Sequence, residues 1–505
     1  MSGPYIFGVG RKVFVVLFNS ISFIIFFPVA TLLYFVIPHR FRYIWLLMAS
    51  YYFYMNWDAR YALLLAGCTL VTYGCGILLG RTEKKKHRKA FLALSLLLVF
   101  GVLFLYKYLG FFITNINQAF SALHLGLQVP GYSLVLPVGI SFYVFQAAGY
   151  IIDVYRGDLK PEKNVFKYAA FVSFFPQLVA GPIERAGKLL HQFDEKHTFD
   201  VQRVKNGLQL MLWGFFMKMV IADRIAIFVD SVYGSYDTYG GWYLAIASML
   251  FGVQIYCDFA GYSTIAVGAA SVMGFTLTEN FRQPYLAASV RDFWRRWHIS
   301  LTGWFRDYVY IPLGGNRKGK IRSSFNMLFV FLLSGLWHGA MWNYVVWGGI
   351  NGLYLVLSGL FKGVREKTGK VLGWKPDVLS NRILGSIVTF LLVDFSWIFF
   401  RAQGTDKALE ILKQMVTVRN IGIFTDGSLY TLGLDQRNFW FMLISIGILL
   451  FVDILHENGI HVREWLEKQN MWFRILFPVL IIEAILIFGI WGTEYDAAAF
   501  IYFRF

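Results

Sequence analysis

The sequence predicts an all-α polytopic membrane protein, with about eleven or twelve transmembrane helices plus re-entrant and interfacial helices. Two observations predict it. Of 505 residues, 57% are apolar and only 15% are charged, and the mean hydropathy is +0.53, whereas a soluble chain carries about 25% charged residues. The formal net charge of +17 is collected in short basic blocks between apolar runs. That is how cytoplasmic loops facing anionic membrane lipids look, so the charge marks topology and not a nucleic-acid site.

The first apolar run, 13–37, follows Arg11 and Lys12 and is too long for the hydrophobic region of a cleavable signal. It is expected to stay as a span, closed by Pro38 and the basic HRFR. Spans follow at 43–57 and 61–80, and the block RTEKKKHRK at 81–89 precedes a fourth at 90–106. With both basic blocks cytoplasmic, the N-terminus lies outside. The weakly charged loop 108–132 is then external, and a fifth span, 134–154, carries Pro137 and Gly139 back to the cytoplasm. The apolar piece 166–179 is about fourteen residues long, too short to cross, and suits a re-entrant or interfacial helix.

Spans six and seven are expected at 207–229 and 242–262. The latter carries Gln254, Tyr256, Asp258 and Tyr262 toward its inner end, and a carboxylate at that depth faces protein or water, not lipid. Further apolar runs at 324–340, 342–360, 384–402, 439–455 and 474–491 complete the count. The loop 401–438 is expected outside with a short surface helix around 407–416, and the closing DAAAFIYFRF is expected to pack back on the bundle. Cys68, Cys75 and Cys257 have neither disulfide nor metal spacing and read as small core residues.

Chemistry concentrates between Arg291 and Trp342. Trp294, Trp297, Leu301, Trp304 and Tyr308 recur at spacings of three and four, which predicts one interfacial helix with an aromatic stripe. Arg291, Arg295, Arg296, Arg306 and Lys318 surround it. They serve either as headgroup anchors or as partners for the phosphates of a donor such as coenzyme A. Asp292, four residues before Arg296, can pair with it internally.

His338 ends the apolar segment FNMLFVFLLSGLWHGAMW, where an imidazole must be satisfied and is costly to charge. It is the first candidate for catalysis, able to take a proton from a hydroxyl or thiol. Ser334 shares its face, but no carboxylate follows to complete a triad, and no HExxH or carboxylate–histidine cluster suggests a metal. His298, taken alone, reads as a structural histidine. Asp258 and Tyr262, four residues apart, either orient a histidine or stabilise helix packing. Gly335 and Gly339 flank the His338 turn, and Gly181 and Gly314–Gly315 sit in sharp turns.

Four segments then carry a resemblance: FPQLVAGPIERAGKLL (175–190), CDFAGYSTIAVGAASVMGFTLTENFRQPY (257–285), RDFWRRWHISLTGWFRDYVYIPLGGNRKG (291–319) and LLSGLWHGAMWNYVVWGGINGLYL (332–355). The chain resembles the membrane-bound O-acyltransferase family, in particular its bacterial branch similar to the alginate O-acetylation membrane protein. The resemblance implies a curved helical bundle around a thinned catalytic centre in the bacterial cytoplasmic membrane. It divides the single transmembrane domain into N-terminal helices (13–160), a catalytic core (161–360) and C-terminal helices (361–505). It makes His338 the central catalytic histidine and His298 the second. It maps the arginine- and tryptophan-rich helix onto Arg295, Arg296 and Trp297, and the GPI turn onto Gly181, Pro182 and Ile183. Donor binding is expected from Arg295, Arg296, Trp297, Trp304, Arg306 and Asp258, without a permanently bound cofactor. The implied reaction moves acetyl from acetyl-CoA to an SGNH-like periplasmic or extracellular acetyltransferase and a polysaccharide hydroxyl. Transfer of D-alanine to teichoic acid is the alternative within the family. Outside it, an exporter would need inverted repeats or paired broken helices, which are not found in the sequence, and a scaffold would not need His338.

Overall fold

Backbone amides cannot stay unpaired in hydrocarbon, so apolar runs of this length fold as helices, and every regular element among the described residues is helical. The computed structural model describes residues 17–132, 134–371, 373, 375 and 378–491. The start of the first expected span and the closing DAAAFIYFRF lie outside the described residues.

The chain begins with α1 (Ile21–Val36), whose first turn is capped by the Ser20 hydroxyl accepting from Phe23 N at 3.2 Å. Next come α2 (Arg42–Met55) and α3 (Ala59–Arg81), the latter capped by Asp58. The fourth helix, α4 (Lys85–Ala122), continues through much of the stretch expected as an external loop. A π-helical turn at Phe104–Tyr108 absorbs the change of register. Lys107 ended the apolar run in the sequence, but its ammonium turns inward to protein carbonyls.

Helix α5 (Ile140–Arg156) starts after Gly139 at φ 74°, and α6 (Val165–Ser173) with the turn Phe175–Leu178 forms the short apolar piece expected at 166–179. Then α7 (Val201–Phe215) passes through a π-helical segment, Phe216–Ala222, into α8 (Asp223–Gly234). The 32-residue α9 (Trp242–Met273) is mostly buried and is the axis of the bundle. It runs well past the expected end at 262, so Asp258 lies near its middle and not at its inner end.

The stretch expected as one interfacial helix is broken. It consists of α10 (Val290–Arg296), capped by Ser289, and α11 (Ile299–Phe305), which runs into a π-helical turn at Arg306–Tyr310. The break falls at His298, in the left-handed region at φ 45°, a conformation that histidine tolerates better than most residues. The chain continues through α12 (Gly319–His338), α13 (Trp342–Leu360), α14 (Leu379–Arg401) and α15 (Thr405–Thr417), the last being the expected surface helix. It ends in α16 (Gln436–Glu457), α17 (Val462–Glu467) and α18 (Met471–Phe488).

Among the described residues, six helices are each long and apolar enough to cross a bilayer: α3, α4, α9, α14, α16 and α18. A seventh appears if α13 and the helix Lys362–Val371, bent by 60°, count as one span. The larger number of apolar runs in the sequence includes helices that end early, such as the 16-residue α1 and the 14-residue α2. It also includes α12, which begins in the basic KGKIRSS. The protein is thus an all-α polytopic membrane protein.

Lipid tails offer no hydrophobic drive between helices, so close contact has to come from shape. On α7, Gly207 and Gly214 face Gly268 and Gly261 of α9. A Cβ at Gly214 would stand 2.6 Å from the Gly261 carbonyl oxygen, and one at Gly207 would stand 2.8 Å from that of Gly268. The same device closes the α12–α13 hairpin, where a Cβ at Gly348 would collide with the Phe331 carbonyl oxygen. Gly214→Leu should therefore destabilise the protein by about 1–3 kcal/mol or more, read as a lower melting temperature in detergent. Gly67→Leu on α3, where nothing lies within 4 Å, should leave it unchanged.

Candidate active site

His338 is the last residue of α12, and its main-chain carbonyl belongs to the set that a helix end leaves without an intrahelical partner. The side chain is 5% exposed. Its ring packs edge-on against Trp347 of α13 at 5.1 Å and Phe400 of α14 at 5.3 Å between centroids. Lys107 reaches the same end of α12. Its Nζ donates to the Trp337 carbonyl at 2.6 Å, to the His338 carbonyl at 3.2 Å and to Ser141 Oγ at 3.4 Å. Lys107, Gly139, Ser141, Val179 and His338 line a cavity of about 60 Å³. Sequence reading missed Lys107 and Ser141. The available signal was a lysine directly continuing an apolar run.

His298 is 1% exposed and packs on Phe259 of α9 at 4.7 Å. Trp337 joins the two histidines, its ring lying 6.2 Å from His298 and 5.0 Å from His338. Phe142 of α5 adds a third wall, 5.5 Å from Trp337 and 6.5 Å from His298. Two residues placed forty positions apart therefore lean on one buried indole.

The remaining predicted residues surround this centre in different roles. Trp297 is buried among Phe281, Phe293 and Trp397. Trp304 stacks on Phe145 at 3.9 Å, and its indole N–H donates to the Phe145 carbonyl at 2.9 Å. Arg296 is held by Glu457 at 2.6 Å and, as its spacing predicts, by Asp292 at 2.9 Å. Burial alone would lower the Arg296 pKa, but these carboxylates raise it above its ordinary value. Arg295 is exposed, and Arg306 is exposed beside Asp307 at 2.7 Å. The GPI turn docks on the same segment: Ile183 N donates to Ser300 Oγ at 3.0 Å, and Arg185 pairs with Asp307 at 2.8 Å while lying 4.2 Å over the Tyr308 ring.

Asp258 meets Lys218 in the π-helical segment between α7 and α8. Lys218 Nζ lies 2.6 Å from Asp258 and 2.7 Å from Asp223, with all three side chains buried. Of the two roles the sequence allowed, this geometry favours helix packing. Removing one partner of a buried ion pair costs about 3–5 kcal/mol. Asp258→Asn should lower the melting temperature, while the molecules that remain folded keep their turnover rate. A normal melting temperature with a collapsed rate would assign Asp258 to the chemistry instead.

The sequence model described as MBOAT, membrane-bound O-acyltransferase family, matches residues 162–371, a range that holds the GPI turn, His298 and His338. The chain is 38% identical over 394 residues to the probable alginate O-acetylase AlgI of Pseudomonas syringae pv. tomato, covering 77% of this chain and 73% of that one. It is 33% identical over 452 residues to the peptidoglycan O-acetyltransferase of Helicobacter pylori, covering 82% of each. With the teichoic acid D-alanyltransferase of Bacillus subtilis it shares 28% identity over 292 residues, 54% of this chain and 71% of that one. On these matches, the chain belongs to the membrane-bound O-acyltransferase family.

Proposed function

We propose that this member of an acyltransferase family moves acetyl from cytoplasmic acetyl-CoA across a bacterial cytoplasmic membrane. The acceptor would be the hydroxyl of an SGNH-like periplasmic or extracellular acetyltransferase, and through it a cell-surface or exopolysaccharide. The observation that carries the reading is His338 at the end of α12, lining a small cavity with Lys107 and Ser141 and joined to His298 through Trp337. Acetyl is favoured over D-alanyl because relatives named as O-acetylases match at 33–38% identity, against 28% for D-alanyltransferases.

In this reading the exposed guanidinium groups of Arg295 and Arg306 meet the donor phosphates. Arg296, Trp297 and Trp304 hold the segment that bears them, and Asp258 stabilises the bundle behind it. His338 takes the proton of the acceptor hydroxyl as that oxygen bonds to the thioester carbonyl carbon. When the carbon–sulfur bond breaks, the imidazolium returns the proton to the departing thiolate, and coenzyme A leaves as the thiol. The same imidazole can instead carry the acyl group briefly before the hydroxyl displaces it. Lys107 holds the two carbonyls that end α12, and so positions the His338 ring.

His338→Ala should abolish transfer of label from acetyl-CoA to partner or polymer while the protein stays monodisperse in detergent. Full turnover in that variant would discard the assignment. Lys107→Met removes charged hydrogen bonds each worth about 1.5–3 kcal/mol, so kcat should fall roughly 10–100-fold. The KM for acetyl-CoA should stay within about twofold in a folded sample, since uniform binding is untouched; an unchanged kcat would remove Lys107 from the positioning role.

A further inference from the structure

A much larger cavity, about 650 Å³, lies between α7, α9, α16, α17 and α18. It falls within the ~300–1,000 Å³ of small-molecule sites. Its inner walls are apolar, with Leu212, Phe216, Ile448 and Leu480 among them. One wall is α18, whose apolar stretch is only 6% buried, so the cavity sits just inside the lipid-facing surface. Its other end is lined by Arg282, His456, His461 and Arg463, in segments that the basic-loop pattern assigns to the cytoplasmic face.

This polar end carries two guanidinium groups, Arg282 and Arg463, and two carboxylates, Glu279 and Asp453, and the carboxylates are already engaged away from Arg463. Glu279 sits 3.5 Å from Arg282, with both side chains largely exposed, and Asp453 accepts from the Tyr256 hydroxyl at 3.1 Å. Among the described residues, no carboxylate comes within ion-pair distance of Arg463, and burial lowers its pKa in spite of Glu279, Glu464 and Glu467 nearby. A partly desolvated guanidinium without a direct counter-ion favours an anion. Gln209, on α7 a turn before Trp213, also lines the cavity, and both atoms of its amide are buried without a hydrogen-bond partner among the described residues.

We propose that this cavity holds an anionic phospholipid of the cytoplasmic leaflet, its phosphate between Arg463 and Arg282, an ester group at Gln209 and an acyl chain along Leu212, Phe216 and Leu480. Asn280 and Phe281 form part of the same lining. Asn280 accepts from the amides of Ile299 at 3.0 Å and Ser300 at 3.2 Å. The lipid therefore braces the backbone that carries His298, and its loss loosens that turn.

The test uses the full chain purified in mild detergent, with phosphatidylglycerol or phosphatidylcholine added to the micelles, and a photo-crosslinking phosphatidylglycerol as probe. Phosphatidylglycerol should raise the melting temperature by several degrees more than phosphatidylcholine, and the probe should label peptides of α7 or α18. Arg463→Ala should reduce both effects at least severalfold. Ala484→Trp, which fills the cavity from α18 without touching the charges, should do the same. Equal stabilisation by the two lipids, labelling outside these helices, or labelling unchanged in both variants would overturn the proposal. So would coenzyme A displacing the probe, because the cavity would then belong to the donor.

Discussion

The site depends on how one buried asparagine satisfies a broken helix. Between α10 and α11 the chain leaves helical geometry at Trp297–His298, and the amides that follow have no helical partners in a buried region. Asn280 supplies them: its carbonyl accepts from Ile299 N, its Oδ1 accepts from Ser300 N, and its Nδ2 donates to Ser263 Oγ of α9 at 3.2 Å. Each buried amide left unpaired would cost about 1–3 kcal/mol. With them paired, the left-handed residue is sustained and the His298 ring points into the bundle, toward Phe259 and Trp337. The Ser300 hydroxyl of the same turn accepts from Ile183, so the GPI turn, α9 and the histidine-bearing break are one hydrogen-bonded unit.

Two lysines, Lys218 buried and Lys107 half-buried, sit in different settings within the bundle. Lys218 meets two carboxylates, Asp223 and Asp258, and this cluster ties the π-helical segment after α7 to the middle of α9. Lys107 meets carbonyls, at the end of α12 where the helix dipole is negative. Partial charges balance an ammonium less completely than carboxylates do. The first arrangement therefore holds helices together, and the second places an amine beside the His338 cavity. Both lysines lie in π-helical turns, where the extra residue redirects a side chain without ending the helix.

Much of this was legible in the sequence because the bilayer imposes simple rules. Apolar runs gave most helices, and an imidazole closing a hydrocarbon-like segment marked His338 as the candidate. The Asp292–Arg296 pair followed from spacing alone. What was not legible required contacts between distant segments. Periodicity from Trp294 to Tyr308 argued for one helix, because nothing local reveals that Asn280 will accept the amides of a break at His298. Lys107 read as the end of a span, because its carbonyl partners lie more than two hundred positions away. Asp258 gave no sign of which way it faced, since Lys218 sits on another helix.

Commitment of side chains also sorts the basic residues that proximity in sequence had grouped. Arg296 has Asp292 and Glu457 on its guanidinium, and Glu457 in turn holds Arg382 at 3.0 Å. A phosphate could engage Arg296 only by displacing Glu457 and leaving that half-buried carboxylate with less compensation. Arg291 and Arg295, a turn apart on α10, are exposed and face no such cost. An anionic donor approaching this face would be steered first by those exposed charges, while the Arg296 network keeps α10, α14 and α16 in register beneath it. The arginine cluster thus divides into an outer, exposed layer and an inner, paired layer that supports it, while Trp294 reaches His338 through Trp347, and Trp304 reaches Trp337 through Phe145.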